Sequence, residues 1–196
     1  ADGAASTDGR QALFLLSLDK AAGDAWVEGT NYFKMKVATP SSARAAALAN
    51  PGVAKDVFGT AVLCYAGDTQ GNLWKFDLQS GLNSTNAASA VKTSGTTPVP
   101  MAVLRDSANR VQPVTTVPQV VPGLGSGYMV IFGTGKFLES GDAANTETNA
   151  VYGIWDNLTN DVSDWQVGRA KLFARTFDAA TNLTSGDTAF EFGSGS

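Results

Sequence analysis

The chain has no histidine. That single absence removes Ser-His-Asp and Cys-His catalysis, histidine-bound zinc and imidazole proton transfer together. Carboxylate, lysine and tyrosine chemistry are what remain. There is one cysteine, Cys64, so an intramolecular disulfide is excluded. Inside the apolar run TAVLCYAG it reads as a small buried hydrophobe with no base to activate it. Charged residues make up only 16%, with a net charge of −4 and a pI of about 4.7. The lysines and arginines cluster nowhere, which excludes the basic face that nucleic acid requires. No apolar run is long enough to span a bilayer as a helix.

What is present is a 196-residue chain, 43% hydrophobic, with 21 glycines. Short apolar runs alternate with stretches of Ser, Thr, Asn, Asp and Gly, a pattern of many short strands joined by turns. Residues 11–19 predict one strand, and a second follows the Ala22-Gly23 turn around Trp26. FKMKVATP predicts another, with Phe33, Met35 and Val37 on one side. SSARAAALANPG predicts the one short helix, capped by Ser41 or Ser42 and stopped by Asn50-Pro51-Gly52. Residues 82–98 read as a long surface loop, and the prolines at 113, 118 and 122 restrict that segment to edge or interrupted strands. Residues 171–177 predict a last strand. Residues 1–192 are expected to form a single propeller-type domain or fragment, with GSGS at 193–196 as a linker tail.

YAGDTQGNLWKFDL, residues 65–78, shows how these units are built. Asp68, Gly71 and Asn72 fall between two apolar strands, where Asp suits a turn and Gly supplies positive φ. A calcium loop needs alternating oxygen donors, and only Asp68 with Asn72 stands here. GTGK at 133–136 lacks the spacing of a phosphate loop. Trp74 and Phe76 share one strand face, Leu73 and Lys75 the other, and Asp77 closes the strand by accepting turn amides. The same grammar of strand, acidic-glycine turn and strand recurs around Phe14–Gly23, Gly133–Gly135 and Trp155. Gly67, Asp68, Gly71, Asn72, Trp74, Phe76, Asp77, Gly133, Gly135 and Trp155 are therefore scaffold residues. The fold expected is an all-β propeller, partial or degenerate, with about three blade-like units, one short helix and long loops.

Three other constellations carry oxygen donors or aromatics. Asp156, Asp161 and Asp164, with Asn157 and Asn160, are the candidate calcium ligands; turn and capping roles are the alternative. Glu139, Asp142 and Glu147 could bind a cation through a loop, but their irregular spacing favours a solvated loop. Trp26, Trp74, Trp155 and Trp165 recur at blade-like intervals, which suits packing between blades better than a sugar platform. No catalytic set and no resident cofactor is marked.

YAGDTQGNLWKFDL, then QPVTTVPQV, GYMVIFGTGKFLESGD and VYGIWDN, with ALFLLSLDKAAG upstream, resemble in order and spacing the C-terminal propeller of the PilY/PilC family. The resemblance implies a non-catalytic module exported by a Gram-negative bacterium to the pilus tip, cell surface or outer membrane. It implies a role in type IV pilus adhesion, biogenesis or retraction control, with minor pilins or a host or surface ligand as partners. Family members often carry a D-x-D-x-D-G calcium loop before the YAGD strand. Here that position reads NPGVAKDVFGTAVLCYAGD, with Asp56 as its only carboxylate before Asp68, so that donor set is absent. Two other readings share such blades. A quinone-dependent dehydrogenase fragment needs a calcium-held cofactor pocket on the axis, and an envelope assembly scaffold is favoured by basic loops or a lipidated cysteine.

Overall fold

Successive apolar runs in this chain are four to seven residues long, and the structure turns them into short antiparallel strands that stack as sheets. The computed structural model describes residues 11–37, 46–79, 90–123, 126–159, 167–175, 177–178 and 183–184. Three sheets carry the fold. The first pairs β1 (Ala12–Leu16) with β2 (Tyr32–Lys36). The second runs β3 (Gly52–Lys55), β4 (Ala61–Gly67), β5 (Asn72–Asp77) and β8 (Ala102–Val103). The third is β9 (Gln119–Pro122), β10 (Tyr128–Gly133) and β11 (Val151–Asp156), with the proline-bearing β9 at its edge. Small ribbons join β6 (Thr93–Ser94) to β7 (Thr97–Pro98) and β12 (Phe177–Asp178) to β13 (Leu183–Thr184). Among the described residues the sheets form three blades in series and do not close into a ring.

The central sheet is covered on both faces because β4 and β5 are apolar on both sides, with the buried Lys75 the one charged side chain within their covered span. Cys64, Ala66, Trp74 and Phe76 point one way, where they join Met35 and Val37 of the first blade and Ala90 and Val91. Leu63, Tyr65 and Leu73 point the other way, against Val130, Phe132, Tyr152 and Ile154 of the third blade. Register makes the first face fit: Cys64 lies opposite Phe76 and Ala66 opposite Trp74, so each large ring sits beside a small neighbour. Burial pushes the Cys64 thiol up to about 11, as an inert core position requires.

Several elements differ from the sequence expectation. No α-helix occurs among the described residues. Of the predicted helix, residues 46–50 are extended: Leu48 bridges Asp68 and the Ala49 N–H donates to Gly67 O at 2.8 Å. Residues 38–45 lie outside the described set. Pairing to a neighbouring turn outweighs alanine's helix propensity here. The strand expected around Trp26 is a loop, because Asn31 clamps it: Asn31 Oδ1 accepts from Val27 N and Nδ2 donates to Ala25 O. The partner of β1 is instead β2. In place of a strand at 171–177 there is a 3₁₀ turn, Arg169–Lys171, then irregular chain through 175; residue 176 lies outside the described set, and Phe177 opens the two-residue β12. Of the expected loop at 82–98, residues 82–89 lie outside the described set, while the rest buries Ala90 and Val91 and forms the β6–β7 ribbon.

Candidate functional site

The residues with chemical potential gather along the seams between blades. Asp68 lies at the β4–β5 turn and is fully buried. Its Oδ1 accepts from the backbone N–H of Gln70 and Asn72, at 2.8 and 2.9 Å. Its Oδ2 accepts from Asn72 Nδ2, Trp74 Nε1 and Gln11 Nε2, at 2.9, 2.8 and 3.3 Å. Five N–H donors thus solvate a carboxylate that burial would otherwise make costly. Gln11 belongs to the first blade, so the same carboxylate ties two blades together. Gly71 is required by geometry twice over: its φ is +78°, and a Cβ would sit 2.7 Å from Leu104 O.

The second seam carries charge. Tyr65 and Lys75 are directly opposite each other across β4 and β5, and both reach Asp156 at the end of β11. Tyr65 Oη donates to Asp156 Oδ2 at 2.6 Å, and Lys75 Nζ lies 2.6 Å from the same oxygen. Asp156 Oδ1 accepts from Leu158 N at 2.9 Å. Lys75 and Asp156 are both buried. Burial, reinforced by the Asp156 charge, pushes the Tyr65 hydroxyl well above the usual tyrosine range.

A proline-bearing connector stitches the same two blades at one end. Val114 N donates to Asp68 O at 2.9 Å, and Gly135 N donates to Pro113 O at 2.7 Å. Thr116 Oγ1 donates to Gly133 O and accepts from Gly133 N, while Thr115 Oγ1 donates to Gly135 O. Close approach dictates small residues here, since a Cβ on Gly67 would meet Val114 Cγ1 at 2.2 Å. Gln112 accepts from Tyr152 Oη and donates to Thr148 O.

Beside this connector lies a polar cleft of roughly 110 Å³ lined by Gln112, Lys136, Asp142, Glu147 and Asn149 among others. Its charges are matched. Lys136 Nζ is 3.0 Å from Asp142 and 3.2 Å from Glu139, and Arg110 reaches Asp106 and Glu147. Asp142 also caps the 3₁₀ turn Ser140–Ala144 by accepting from Leu138 N and Glu139 N, which holds its carboxyl down to about 2. The hydrogen bond to Asp142 in turn raises the Lys136 ammonium above its ordinary value.

The motif residues named from sequence thus meet at the seams. Gly67, Asp68, Gly71, Asn72, Gly133 and Gly135 flank the connector, Trp74 and Phe76 fill the first seam, and Asp77 accepts from Gln79 N. Trp155 is only half-buried and donates to Ser126 O. Trp26 is exposed, with Lys20 Nζ over its ring at 4.9 Å. Of the calcium candidates, Asp156 faces inward on Lys75 and Tyr65, while Asp161 and Asp164 lie outside the described residues, as does Trp165. Sequence reasoning missed Gln11, Tyr65 and Lys75 as seam residues. A lysine inside an apolar strand, LWKF, was the one available signal that a buried acid must lie opposite.

A family model described as the PilY1 beta-propeller domain matches residues 1–189. A type IV pilus biogenesis factor PilY1 homolog from Xylella fastidiosa is 31% identical over 184 residues, covering 93% of this chain and 12% of that protein. The type IV pilus biogenesis factor PilY1 of Pseudomonas aeruginosa strain PAO1 is 38% identical over 149 residues, covering 67% of this chain and 13% of that protein. Among solved structures, the crystal structure of the Pseudomonas aeruginosa PilY1 C-terminal domain superposes with a TM-score of 0.63 at 31% identity, covering 89% of this chain and 37% of that one. The chain therefore spans 12–13% of the length of these two curated relatives.

Proposed function

The chain belongs to the PilY1 β-propeller family, and on that premise we propose that it is a non-catalytic propeller segment of a type IV pilus biogenesis factor. It acts by protein recognition in pilus adhesion, assembly or retraction control, at the pilus tip, cell surface or outer membrane of a Gram-negative bacterium. Minor pilins or a host or surface ligand are the partners. The observation that carries this reading is where the reactive side chains are used. Asp68, Tyr65, Lys75 and Asp156 are buried and committed to one another or to backbone amides, and the cleft at 106–149 has matched charges. Such residues hold blades together; they present no nucleophile or base to a substrate.

The reading extends to architecture. The first blade leaves Phe14 and Leu16 half-exposed, and the third leaves Val121, Ile131 and Val151 exposed. The third blade's open face is an apolar sheet surface and the first blade's mixes Phe14 and Leu16 with Lys34; both are of the kind that further blades of a longer chain cover. Lys75 and Tyr65 already engage Asp156 Oδ2, and the proposed function assigns no calcium to that residue.

Deleting the gene in its own bacterium and counting surface pili tests the proposal. Pili are expected to be lost, and restored by the full-length protein but not by one lacking residues 11–184. Normal piliation in the deletion strain contradicts it.

A further inference from the structure

In an antiparallel blade successive turns alternate between the two ends of the sheet. One end of the stack is marked by the Asp68 turn, against which lie Ala47, Ala49 and Val114, through Thr69 N to Ala47 O, Ala49 N to Gly67 O and Val114 N to Asp68 O. Gln11 reaches Asp68 there as well, and Val37 N donates to Gln11 O, so β1 begins and β2 ends at this same end. The β1–β2 loop at 17–31 and the β3–β4 turn at 56–60 are then both at the opposite end of their sheets.

That opposite end gathers exposed large apolar side chains: Leu18 at 97%, Val57 at 93%, Phe58 at 89% and Trp26 at 51% exposure. They are carried on closed turns. Asp56 Oδ1 accepts from Phe58 N and Thr60 N, Gly59 N donates to Asp56 O, and Asp56 N donates to Thr60 O. Asn31 clamps the neighbouring loop, and Lys20 donates to Ala21 O and Asp24 O beneath Trp26. A turn that pairs the amides of Asp56, Phe58, Gly59 and Thr60 internally strands few donors on entering a dry pocket, and its rigidity lowers the entropy lost on binding. The same two segments carry Asp19, Asp24, Glu28 and Asp56 against Lys20 and Lys55.

We infer that this end is a protein-docking surface, with Val57 and Phe58 as its anchor and Leu18 and Trp26 as flanking contacts. The partner is a protein with an apolar socket rimmed by lysine or arginine. The inference rests on the reading that the chain works through protein contacts. The acidic rim disfavours an anionic bilayer, and a net charge of −4 disfavours a second copy.

The test uses the full-length protein in its own bacterium, with a benzophenone amino acid in place of Val57, of Leu18, or of Phe137. Phe137 is 78% exposed but follows the Gly135 turn at the Asp68 end, so it serves as the control. After irradiation the adduct is mapped by peptide mass spectrometry. Expected are adducts at Val57 and Leu18, absent at Phe137, joined to an apolar peptide flanked by Lys or Arg. Phe58→Ser should cut the Leu18 adduct by about tenfold or more, as loss of an anchor does, with the melting temperature unchanged. No adduct at Val57, equal yields at Phe137, an adduct to phospholipid or to the protein itself, or a Phe58→Ser variant that still crosslinks overturns the inference. A mapped partner outside the pilus machinery would leave this surface standing and refute the pilus reading instead.

Discussion

The two faces of the central sheet are packed on different principles. Toward the first blade, Cys64, Ala66, Trp74 and Phe76 meet Met35 and Val37 in an apolar and aromatic seam, with Asp68 tying Gln11 to Trp74 at its rim. Toward the third blade the seam is also apolar at its centre, yet it encloses Lys75, Tyr65 and Asp156. Hydrocarbon packing is strong but non-directional, so it fixes that two sheets adhere without fixing how they slide. A lysine and a tyrosine converging on one carboxylate oxygen admit a single alignment. The second seam therefore trades some desolvation cost for register.

Breaking either seam at a single residue should have the largest effects. Asp156→Ala leaves the Lys75 ammonium buried without its carboxylate, at a cost of about 3–5 kcal/mol, seen as a large fall in melting temperature. Trp74→Ala attacks the apolar seam by a different route: it opens a cavity and removes one donor from Asp68. A loss of about 3–5 kcal/mol is expected there too, and Trp74→Phe separates the cavity from the hydrogen bond. Replacing both charges, Lys75→Met with Asp156→Leu, sharpens the comparison. The double variant should recover most of the stability lost by either single change, because no orphaned charge remains.

Alkali tests the same seam. Tyr65 keeps its proton in the folded state well above its unfolded value of about 10, so the folded protein holds more protons there. Stability should accordingly fall as the pH rises beyond about 10. Tyr65→Phe should lessen that slope in a melting series. The apolar seam holds one such group as well: burial pushes the Cys64 thiol up to about 11. Cys64 therefore adds its own fall in stability, starting near the unfolded thiol value of about 8.5, which Cys64→Ala should remove. Thiol reagents should not reach Cys64 until the protein unfolds. Smallest of all, chelator and added calcium should leave melting unchanged. A calcium-raised melting temperature would point to ligands beyond Asp156, with Asp161 and Asp164 the first to replace.

The apolar seam was legible in the sequence and the charged one was not. Trp74 and Phe76 announce a shared strand face by spacing alone, and Asp68-x-x-Gly71 announces a turn, because both are local facts. Lys75 and Asp156 are separated by most of two blades, and no local pattern pairs them. Asp156 instead resembled its neighbours Asp161 and Asp164 and was grouped with them as an oxygen donor. The end of the alanine-rich stretch misled for a related reason: at residues 46–50 the local preference for helix yields to backbone pairing with Gly67 and Asp68, residues the sequence does not place beside them. Residues 17–31 misled similarly, since Trp26 has the composition of a strand but sits in a loop held by Asn31.

Hydrogen exchange on the full-length protein, read on peptides covering β4, β5 and β11, tests the central claim most directly. The charged seam predicts that Asp156→Ala speeds exchange in all three strands together, and that Lys75→Met with Asp156→Leu restores slow exchange in all three. Exchange unaltered by Asp156→Ala, or a double variant as fast as the single one, would contradict it.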